Sequence, residues 1–345
     1  MNRHLIDKLA GGGELTRQEL RTLIIDDSAQ TAADLAERAN AVREQVYGRQ
    51  VFIRGLIEFT NYCKNDCYYC GIRRSNHLVR RYRLTESEIL DCCQNGYDLG
   101  FRTFVLQGGE DPYWTDHRMC RLVSTIRKGY PDCAITLSIG ERSRESYQKL
   151  FDAGADRYLL RHETANPDHY SKLHPAEMDL SSRLNCLQNL RDIGFQTGCG
   201  FMVGSPYQTI DNLAEDLLYI KHFTPQMVGI GPFLPAANTP FEGEPAGSSE
   251  LTIKLLSIVR LLHPRVLLPA TTALGTAKKD GRERGILAGA NVIMPNLSPL
   301  EVREKYLLYN GKIATGDEAA ESIRHLTASM EKIGYEIVTA RGDYI

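Results

Sequence analysis

Hydrophobic and polar positions alternate with two different periodicities along the 345-residue chain. Short runs rich in apolar and β-branched residues predict buried strands; they lie at 51–59, 103–107, 134–139, 157–161, 196–203, 227–233, 266–271 and 290–295. Amphipathic segments with helical spacing separate these runs, such as 85–99, where Thr85 and Glu88 form a capping box. Glycines such as Gly100 and Gly194 follow several of these segments, which is typical of a left-handed helix C-cap.

Eight repeats of strand and helix predict an α/β fold, a (β/α)8 TIM barrel, with a doubly wound open sheet as the alternative. Residues 1–50 predict an N-terminal helical cap, 51–300 the barrel, and 301–345 a C-terminal helical extension packed on it. Ligands of such barrels bind at the C-terminal ends of the strands. The residues that follow each predicted strand are therefore the candidates for chemistry.

Composition narrows the class of protein. Hydrophobic residues make up 42% of the chain, which permits a large core, and the net charge is −2. This balance gives no electrostatic reason to expect binding to nucleic acid or to an anionic membrane. No stretch approaches the ~20 apolar residues of a membrane span, and the first residues lack the apolar run of a signal peptide. We expect a cytoplasmic protein.

Three of the nine cysteines lie close together directly after the first predicted strand. Cys63, Cys67 and Cys70 have the spacing C-x3-C-x2-C, and an odd total with such a cluster indicates metal binding rather than disulfides. A four-iron cluster has four ligand positions, whereas the next cysteine, Cys92, lies in the following predicted helix. The spacing therefore predicts one iron left open to a small molecule. A zinc ion held by these cysteines and a fourth ligand such as His77 is the alternative.

The cysteine loop, with Tyr69 before its last cysteine, resembles that of the radical S-adenosylmethionine (SAM) enzymes. This resemblance implies one 4Fe-4S cluster, chelation of its open iron by SAM, and reductive cleavage of SAM to a 5′-deoxyadenosyl radical. After the second strand, Gly108-Gly109-Glu110 resembles the segment with which these enzymes hold the SAM amino group. Small residues suit the backbone approach that such a contact requires.

Longer motifs narrow the resemblance to the HydE family of FeFe-hydrogenase maturases, over nearly the whole chain. They are Arg-His-Glu-Thr-Ala-Asn at 161–166, Gly-Ile-Gly-Pro-Phe-Leu-Pro at 229–235, Pro-Ala-Thr-Thr-Ala at 269–273 and Ala-Asn-Val-Ile-Met-Pro-Asn at 290–296. The resemblance implies a role, with the maturases HydG and HydF, in building the two-iron subcluster of the hydrogenase. The implied substrate is a cysteine-bound iron complex carrying carbon monoxide and cyanide, and a low-potential electron donor would supply the electron.

The same resemblance assigns residues to the site. The cluster ligands are the three loop cysteines, and the cofactor contacts are Tyr69, Gly108, Gly109, Glu110, Ser138, Glu163, Arg183 and Met202. The residues expected to line the substrate cavity are Arg54, Gln107, Arg161, Thr271, Thr272, Met294 and Tyr306. Arg183 could pair in a bidentate manner with the SAM carboxylate. Arg54 and Arg161 would compensate the charge of an anionic substrate.

Other functions stay open at this point. A different biotin-synthase-like enzyme, such as methylornithine synthase, shares the cysteine loop and a Tyr-Arg-Leu-Thr segment like 82–85, but is not expected to keep the motif at 161–166. A zinc-stabilised module without enzymatic activity is the third possibility. Some HydE-family members carry three further cysteines near the C-terminus, whereas 310–320 has none, so we predict no second cluster. The six other cysteines are expected to behave as small hydrophobic residues.

Overall fold

Parallel strands form the centre of the protein in the computed structural model, which describes residues 2–313 and 319–345. The strands of these residues are β1 (Gln50–Ile53), β2 (Gly55–Thr60), β3 (Thr103–Gly108), β4 (Ala134–Ser138), β5 (Arg157–Leu159), β6 (Gln196–Cys199), β7 (Met202–Val203), β8 (Met227–Val228), β9 (Gly231–Pro232), β10 (Val292–Ile293) and β11 (Glu336–Val338).

Helices surround these strands and lead from one to the next. They are α1 (Arg3–Ala10), α2 (Arg17–Ile25), α3 (Ala29–Tyr47), α4 (Glu86–Asp98), α5 (Asp116–Gly129), α6 (Arg144–Asp152), α7 (Pro167–Leu173), α8 (Leu180–Ile193), α9 (Ile210–Phe223), α10 (Ser249–Leu262), α11 (Thr272–Ala277), α12 (Gly281–Leu287), α13 (Leu300–Arg303) and α14 (Ala319–Lys332). Thr85 caps α4 in a capping box with Glu88, and Gly194 ends α8 in the left-handed conformation, as their sequence positions predict.

The strands close into a barrel. β2, β3, β4, β5, β6 and β8 form one parallel sheet in that order. Isolated bridges continue it from Met227 to Leu267 and from Pro269 to Val292, and the last gap closes where Leu56 of β2 pairs with Asn296. The prediction of a (β/α)8 TIM barrel is confirmed, and the open-sheet alternative is wrong because the last strand position pairs with the first.

Several predicted strands are interrupted. The run 51–59 divides at Arg54 into β1 and β2, which belong to different sheets. The run 196–203 divides at Gly200 into β6 and β7. A Cβ at Gly200 would lie 2.0 Å from the carbonyl oxygen of Gly229, so the close approach of these two backbone segments requires glycine. The run 266–271 forms only bridges. β11 was not predicted; it pairs in parallel with β1.

The C-terminal tail packs against the N-terminal ends of the barrel strands, opposite the end where ligands are expected. The carbonyl oxygen of Arg341 accepts a hydrogen bond from Thr103, the first residue of β3. The fully buried Arg157, which begins β5, donates to Asp343 at 2.6 Å. The tail therefore covers this end of the barrel.

The N-terminal helices pack on the outside of the barrel. α3 packs along α10, and α2 along α9, so the N-terminal helices lie against outer helices of the barrel. Within the described ranges, no helix combines the length and apolar character needed to cross a membrane. The prediction of no second cluster concerns 310–320; its residues 314–318 lie outside the described residues, and it stays a prediction.

Candidate active site

A cavity of about 300 Å³ opens at the C-terminal ends of the barrel strands. Most of the residues singled out in the sequence line it: Cys63, Cys67, Tyr69, Cys70, Gln107, Gly108, Gly109, Glu110, Ser138, Arg161, Glu163, Arg183, Met202, Thr271 and Tyr306. They come from eight separate stretches of chain, and only the barrel brings them to one place. The predicted cluster, cofactor and substrate groups therefore share one cavity.

The cysteine loop follows β2 and has little regular secondary structure. Arg81 holds it, because its guanidinium donates to the carbonyl oxygens of Asn61, Ile72 (2.8 Å), Arg73 (2.6 Å) and Asn76 (3.2 Å). These bonds satisfy carbonyl groups that no strand or helix pairs. Arg81 thus fixes the path of the loop from both of its ends.

The glycine segment after β3 contacts the cysteine loop backbone to backbone. A Cβ on Gly109 would lie 2.2 Å from the carbonyl oxygen of Tyr62 and 2.7 Å from Cβ of Cys63. The next backbone N–H, that of Glu110, donates to the sulfur of Cys63 at 3.4 Å. Only glycine allows this approach, so the two motifs form one structural unit.

The three thiols fit the demands of an iron–sulfur cluster. Each is partly buried and lines the cavity. Burial raises the pKa of Cys63 and Cys67, and raises that of Cys70 to about 12. A bound metal centre keeps coordinating thiols deprotonated despite such burial. The donor set therefore suits a cluster ligated by thiolates.

The arrangement does not suit a single zinc ion. Among the residues that the structure describes, no three His, Cys, Asp or Glu side chains gather closely enough to hold one metal ion. Ligands of one tetrahedral zinc lie about 2.0–2.3 Å from the same centre, whereas a cluster spreads its thiolates over different irons. His77 is exposed and does not line the cavity.

Charged side chains from the end of β5 and from α8 face the cavity. Arg161 Nη2 lies 3.1 Å from Glu163 Oε2, although neither atom has hydrogen-bond geometry. Glu163 has a φ of +65°, which is rare for a residue with a side chain. The buried Arg183 lies 2.9 Å from Glu141, whose pKa is raised because burial outweighs the attraction of the arginine. Both arginines are therefore paired with carboxylates inside the protein.

Tyr69 has a defined hydrogen-bond partner. Its hydroxyl lies 3.2 Å from Nε2 of His174, whose Nδ1 is 3.0 Å from the carbonyl oxygen of Tyr170. A carbonyl can only accept, so Nδ1 carries the proton. Burial lowers the pKa of His174 to about 3, and the neutral ring therefore accepts from Tyr69 at Nε2. The orientation of the tyrosine beside the cysteines is set by this bond.

Three predicted substrate residues lie elsewhere. Arg54 is buried between β1 and β2, and its guanidinium donates to the sulfur of Met227 at 3.1 Å; burial lowers its pKa well below the ordinary value. Met294 packs in a cluster with Met227. Thr272 begins α11, just after Thr271. None of these three lines the cavity.

Sequence reasoning missed three residues that shape the site: Arg81, Glu141 and His174. Arg81 donates to carbonyl groups of the cysteine loop. Glu141 pairs with Arg183, and His174 accepts a hydrogen bond from Tyr69. Arg81 is one of several arginines in its segment, and His174 is one of nine histidines without metal-ligand spacing. No local pattern distinguishes them.

Comparison with known proteins agrees with this geometry. The radical SAM superfamily model matches residues 57–220. The HydE subunit of the [FeFe] hydrogenase maturase of Thermotoga maritima is 44% identical over 96% of this chain and 94% of its own. The 3-methylornithine synthase of Methanosarcina barkeri is 30% identical over 92% and 89%. The crystal structure of methylornithine synthase (PylB) superposes with a TM-score of 0.86, at 29% identity over 97% of both chains.

These matches cover the cysteine loop, the barrel and nearly all of the chain, so the protein is a radical SAM enzyme. Membership of this superfamily implies a 4Fe-4S cluster and SAM, which the thiols and the cavity can accommodate. Within the superfamily, the chain belongs to the HydE family.

Proposed function

We propose that this protein is a cytoplasmic maturase of FeFe-hydrogenase. It acts on a cysteine-bound iron complex carrying carbon monoxide and cyanide, during assembly of the two-iron subcluster. The observation that carries the proposal is the cavity itself, in which the cysteine loop, the glycine segment and the Arg161–Glu163 pair face one another. The similarity to the Thermotoga protein over almost the whole chain supports the same conclusion.

The residues have separate tasks in this proposal. Cys63, Cys67 and Cys70 hold the cluster and leave one iron open to SAM. When bound, the cluster and SAM together supply a 5′-deoxyadenosyl radical. The backbone at Gly109 and the carboxylate of Glu110 receive the amino end of SAM. The barrel walls exclude water from the reacting groups.

The other cofactor contacts follow from the positions of the side chains around the cavity. Arg183 can pair with the SAM carboxylate, Ser138 and Glu163 can hydrogen-bond its polar groups, and Met202 and Tyr69 offer apolar surface to its adenine. Glu141 would share Arg183 with the incoming carboxylate. Because burial raises the pKa of Glu141, a proton can enter this pair when SAM binds.

The substrate is expected to bind deeper in the cavity, next to Gln107, Arg161, Thr271 and Tyr306. Arg161 is the cation of this group, and its side chain is 32% exposed to the cavity. An anionic complex buried in a barrel needs a compensating positive charge. Arg54, Thr272 and Met294 would contribute from behind the cavity wall rather than by direct contact.

The proposed reaction places the protein between two others. HydG would supply the iron complex, HydF would receive the product, and a low-potential electron donor would reduce the cluster. We propose that these encounters are transient.

A maturation assay tests the proposal. Apo-hydrogenase is incubated anaerobically with the two partner maturases and SAM, with and without this chain, while hydrogen evolution and 5′-deoxyadenosine are measured. We expect activation to depend on this chain and to vanish with Cys70→Ser. Cys120→Ser is the matched control, because Cys120 lies on α5 outside the cavity. Activation that survives Cys70→Ser would refute the proposed role of the loop.

A second function is favoured by one observation, the TM-score of 0.86 with methylornithine synthase. If SAM is cleaved but no hydrogenase is activated, an amino-acid mutase acting on lysine becomes the better proposal. Incubation with lysine and detection of a rearranged product then separate the two. Zinc without iron in anaerobically prepared protein would favour a non-enzymatic module over both.

A further inference from the structure

Two fully buried titratable side chains lie beneath Glu163, outside the cavity. His162 and Asp216 have no exposed surface, and Nε2 of His162 is 3.4 Å from Oδ1 of Asp216. His162 precedes Glu163 on the strand end, whereas Asp216 comes from the middle of α9. Burying such groups costs free energy. Neither of them lines the cavity, so they do not bind a ligand there directly, and their contacts within the protein indicate another role.

Both side chains hold the backbone of the turn that contains Glu163. Oδ1 of Asp216 accepts a hydrogen bond from the backbone N–H of Ala165 at 2.5 Å. On the other side, the N–H of Gly200 donates to Nδ1 of His162 at 3.3 Å, and the N–H of Glu163 donates to the carbonyl oxygen of Gly200 at 3.0 Å. The turn is thus attached both to α9 and to the end of β6.

These contacts determine the protonation of the histidine. A backbone N–H donates to Nδ1, so that atom carries no proton, and the proton of the neutral ring is on Nε2, facing Asp216. Burial lowers the pKa of His162 to about 3 and raises the pKa of Asp216 well above its ordinary value. The rings of Tyr219 and Phe201 enclose the histidine, with centroids 4.7 and 6.1 Å away. The pair is therefore neutral and tightly packed.

The turn needs such support because of its conformation. Glu163 has a φ of +65°, which residues with a Cβ adopt only where the surrounding structure enforces it. In this conformation the carboxylate of Glu163 reaches the cavity and Arg161. A relaxed backbone at 163 would turn the side chain away from both.

We propose that Asp216 and His162 are positioning residues that hold Glu163 in its left-handed conformation, so that its carboxylate is aimed at the cofactor. The consequence for cofactor binding rests on the role of Glu163 in the proposed function. The proposal that the two residues fix the conformation of Glu163 does not rest on the proposed function, because it concerns only contacts within this chain.

The test compares Asp216→Ala, Asp216→Asn and the control Leu217→Ala. Leu217 is fully buried next to Asp216 on the same helix, and its side chain has no polar atom that could bond to the turn, so its truncation reproduces a loss of packing alone. The affinity of the anaerobically reconstituted protein for SAM is measured from the change that SAM causes in the cluster spectrum. Crystal structures of the same variants give φ at residue 163.

We expect Asp216→Ala to weaken SAM binding about tenfold, the effect of one lost buried hydrogen bond, and to release residue 163 from positive φ. Asp216→Asn should stay within about twofold, because the amide oxygen can still accept from Ala165. Leu217→Ala should keep both the affinity and the conformation. Equal losses in Leu217→Ala and Asp216→Ala, or an unchanged φ in Asp216→Ala, would overturn the proposal.

A second variant covers the case in which Asp216→Ala does not fold. His162→Phe keeps the ring volume but removes both nitrogen contacts, and we expect the same release of residue 163. Wild-type affinity and conformation in His162→Phe would contradict the proposal. Residue 163 could change conformation in Asp216→Ala or His162→Phe while Glu163→Gln leaves SAM binding unchanged. In that case the positioning role holds and the proposed cofactor role of Glu163 fails.

Discussion

Arg161 and Glu163 face each other across 3.1 Å at the end of β5. The first is predicted to contact the substrate and the second the cofactor, so one ion pair joins the two halves of the site. An anionic substrate that attracts Arg161 would free Glu163 to hydrogen-bond the cofactor. Binding of either molecule should therefore favour binding of the other, since such coupling is reciprocal.

The first prediction separates these two residues. Arg161→Gln should reduce turnover of the substrate about tenfold or more while SAM binding changes much less; Glu163→Gln should weaken SAM binding by about tenfold, as expected for one buried charged contact. Turnover is followed in the maturation assay, and SAM binding is followed spectroscopically. Arg144→Gln is the control, because that arginine is 51% exposed on α6. Parallel losses of turnover and SAM binding in Arg161→Gln would argue against a substrate role.

The second prediction concerns Gly140, which packs on the predicted ligand of the SAM amino group. Its φ is +76°, and a Cβ would lie 2.0 Å from Cγ of Glu110. Gly140→Ala should therefore displace Glu110 and weaken SAM binding by about tenfold or more, the equivalent of roughly 1.4 kcal/mol. The exposed Gly129 has no atom within 4 Å of its added Cβ. Gly129→Ala should bind SAM normally; a similar loss in both variants would refute the explanation.

The third prediction concerns a buried ion pair between Glu58 of β2 and Lys312 of the C-terminal segment. Lys312 donates to Glu58 and to the carbonyl oxygen of Tyr306, and Asn296 donates to the same carboxylate at 2.8 Å. The side chains of Lys312 and Glu58 are 6% and 1% exposed. Lys312→Met leaves a buried carboxylate without its cation, which typically costs about 3–5 kcal/mol.

Chemical denaturation measures this cost as a loss in the free energy of unfolding. Lys278→Met is the matched control, since Lys278 pairs with a Glu250 that is 61% exposed, and surface pairs contribute about 1 kcal/mol or less. Adding Glu58→Gln to Lys312→Met should recover much of the loss, because no charge then remains buried. A loss below about 1 kcal/mol in Lys312→Met would contradict this account.

The fourth prediction is a pH dependence of stability. Burial raises the pKa of Asp216 well above its ordinary value of 3.8, so the folded protein keeps a proton that the unfolded chain releases. The stability from this proton is fully present below pH 3.8 and is lost as the pH rises towards the folded pKa. Asp216→Asn removes this loss. The stability of the variant relative to the wild type should therefore increase by about 1.4 kcal/mol per pH unit above pH 4.

Unfolding titrations at several pH values measure this difference. His162 acts in the opposite direction, because its pKa is lowered to about 3 and its contribution is lost as the pH falls from about 6.5 to 3. Comparing the two proteins at each pH removes the part that His162 contributes to both. A difference that does not vary with pH would show that Asp216 is ionised in the folded protein.

The sequence alone determined the features that depend on short-range order. The spacing of Cys63, Cys67 and Cys70, the glycines at 108 and 109, and the alternation of strands and helices are local patterns. They can be interpreted without knowledge of distant residues. Ligands that are close in sequence stay close in space, and the period of the hydrophobic pattern indicates whether a segment is a helix or a strand. The barrel and the cysteine loop could be predicted on this basis, whereas the backbone contact between the loop and the glycine segment was seen only in the structure.

Only the tertiary structure decided which side chains share the cavity. Arg54 and Arg161 both lie in strand-like runs of the sequence, yet Arg54 is enclosed at the junction of β1 and β2, whereas Arg161 stands at a strand end that opens to the cavity. His162 and Asp216 are 54 residues apart in the chain (216 − 162) and meet only because α9 packs behind the end of β5. Contacts of this kind arise from closure of the barrel, and no local pattern of residues encodes the partner across that distance.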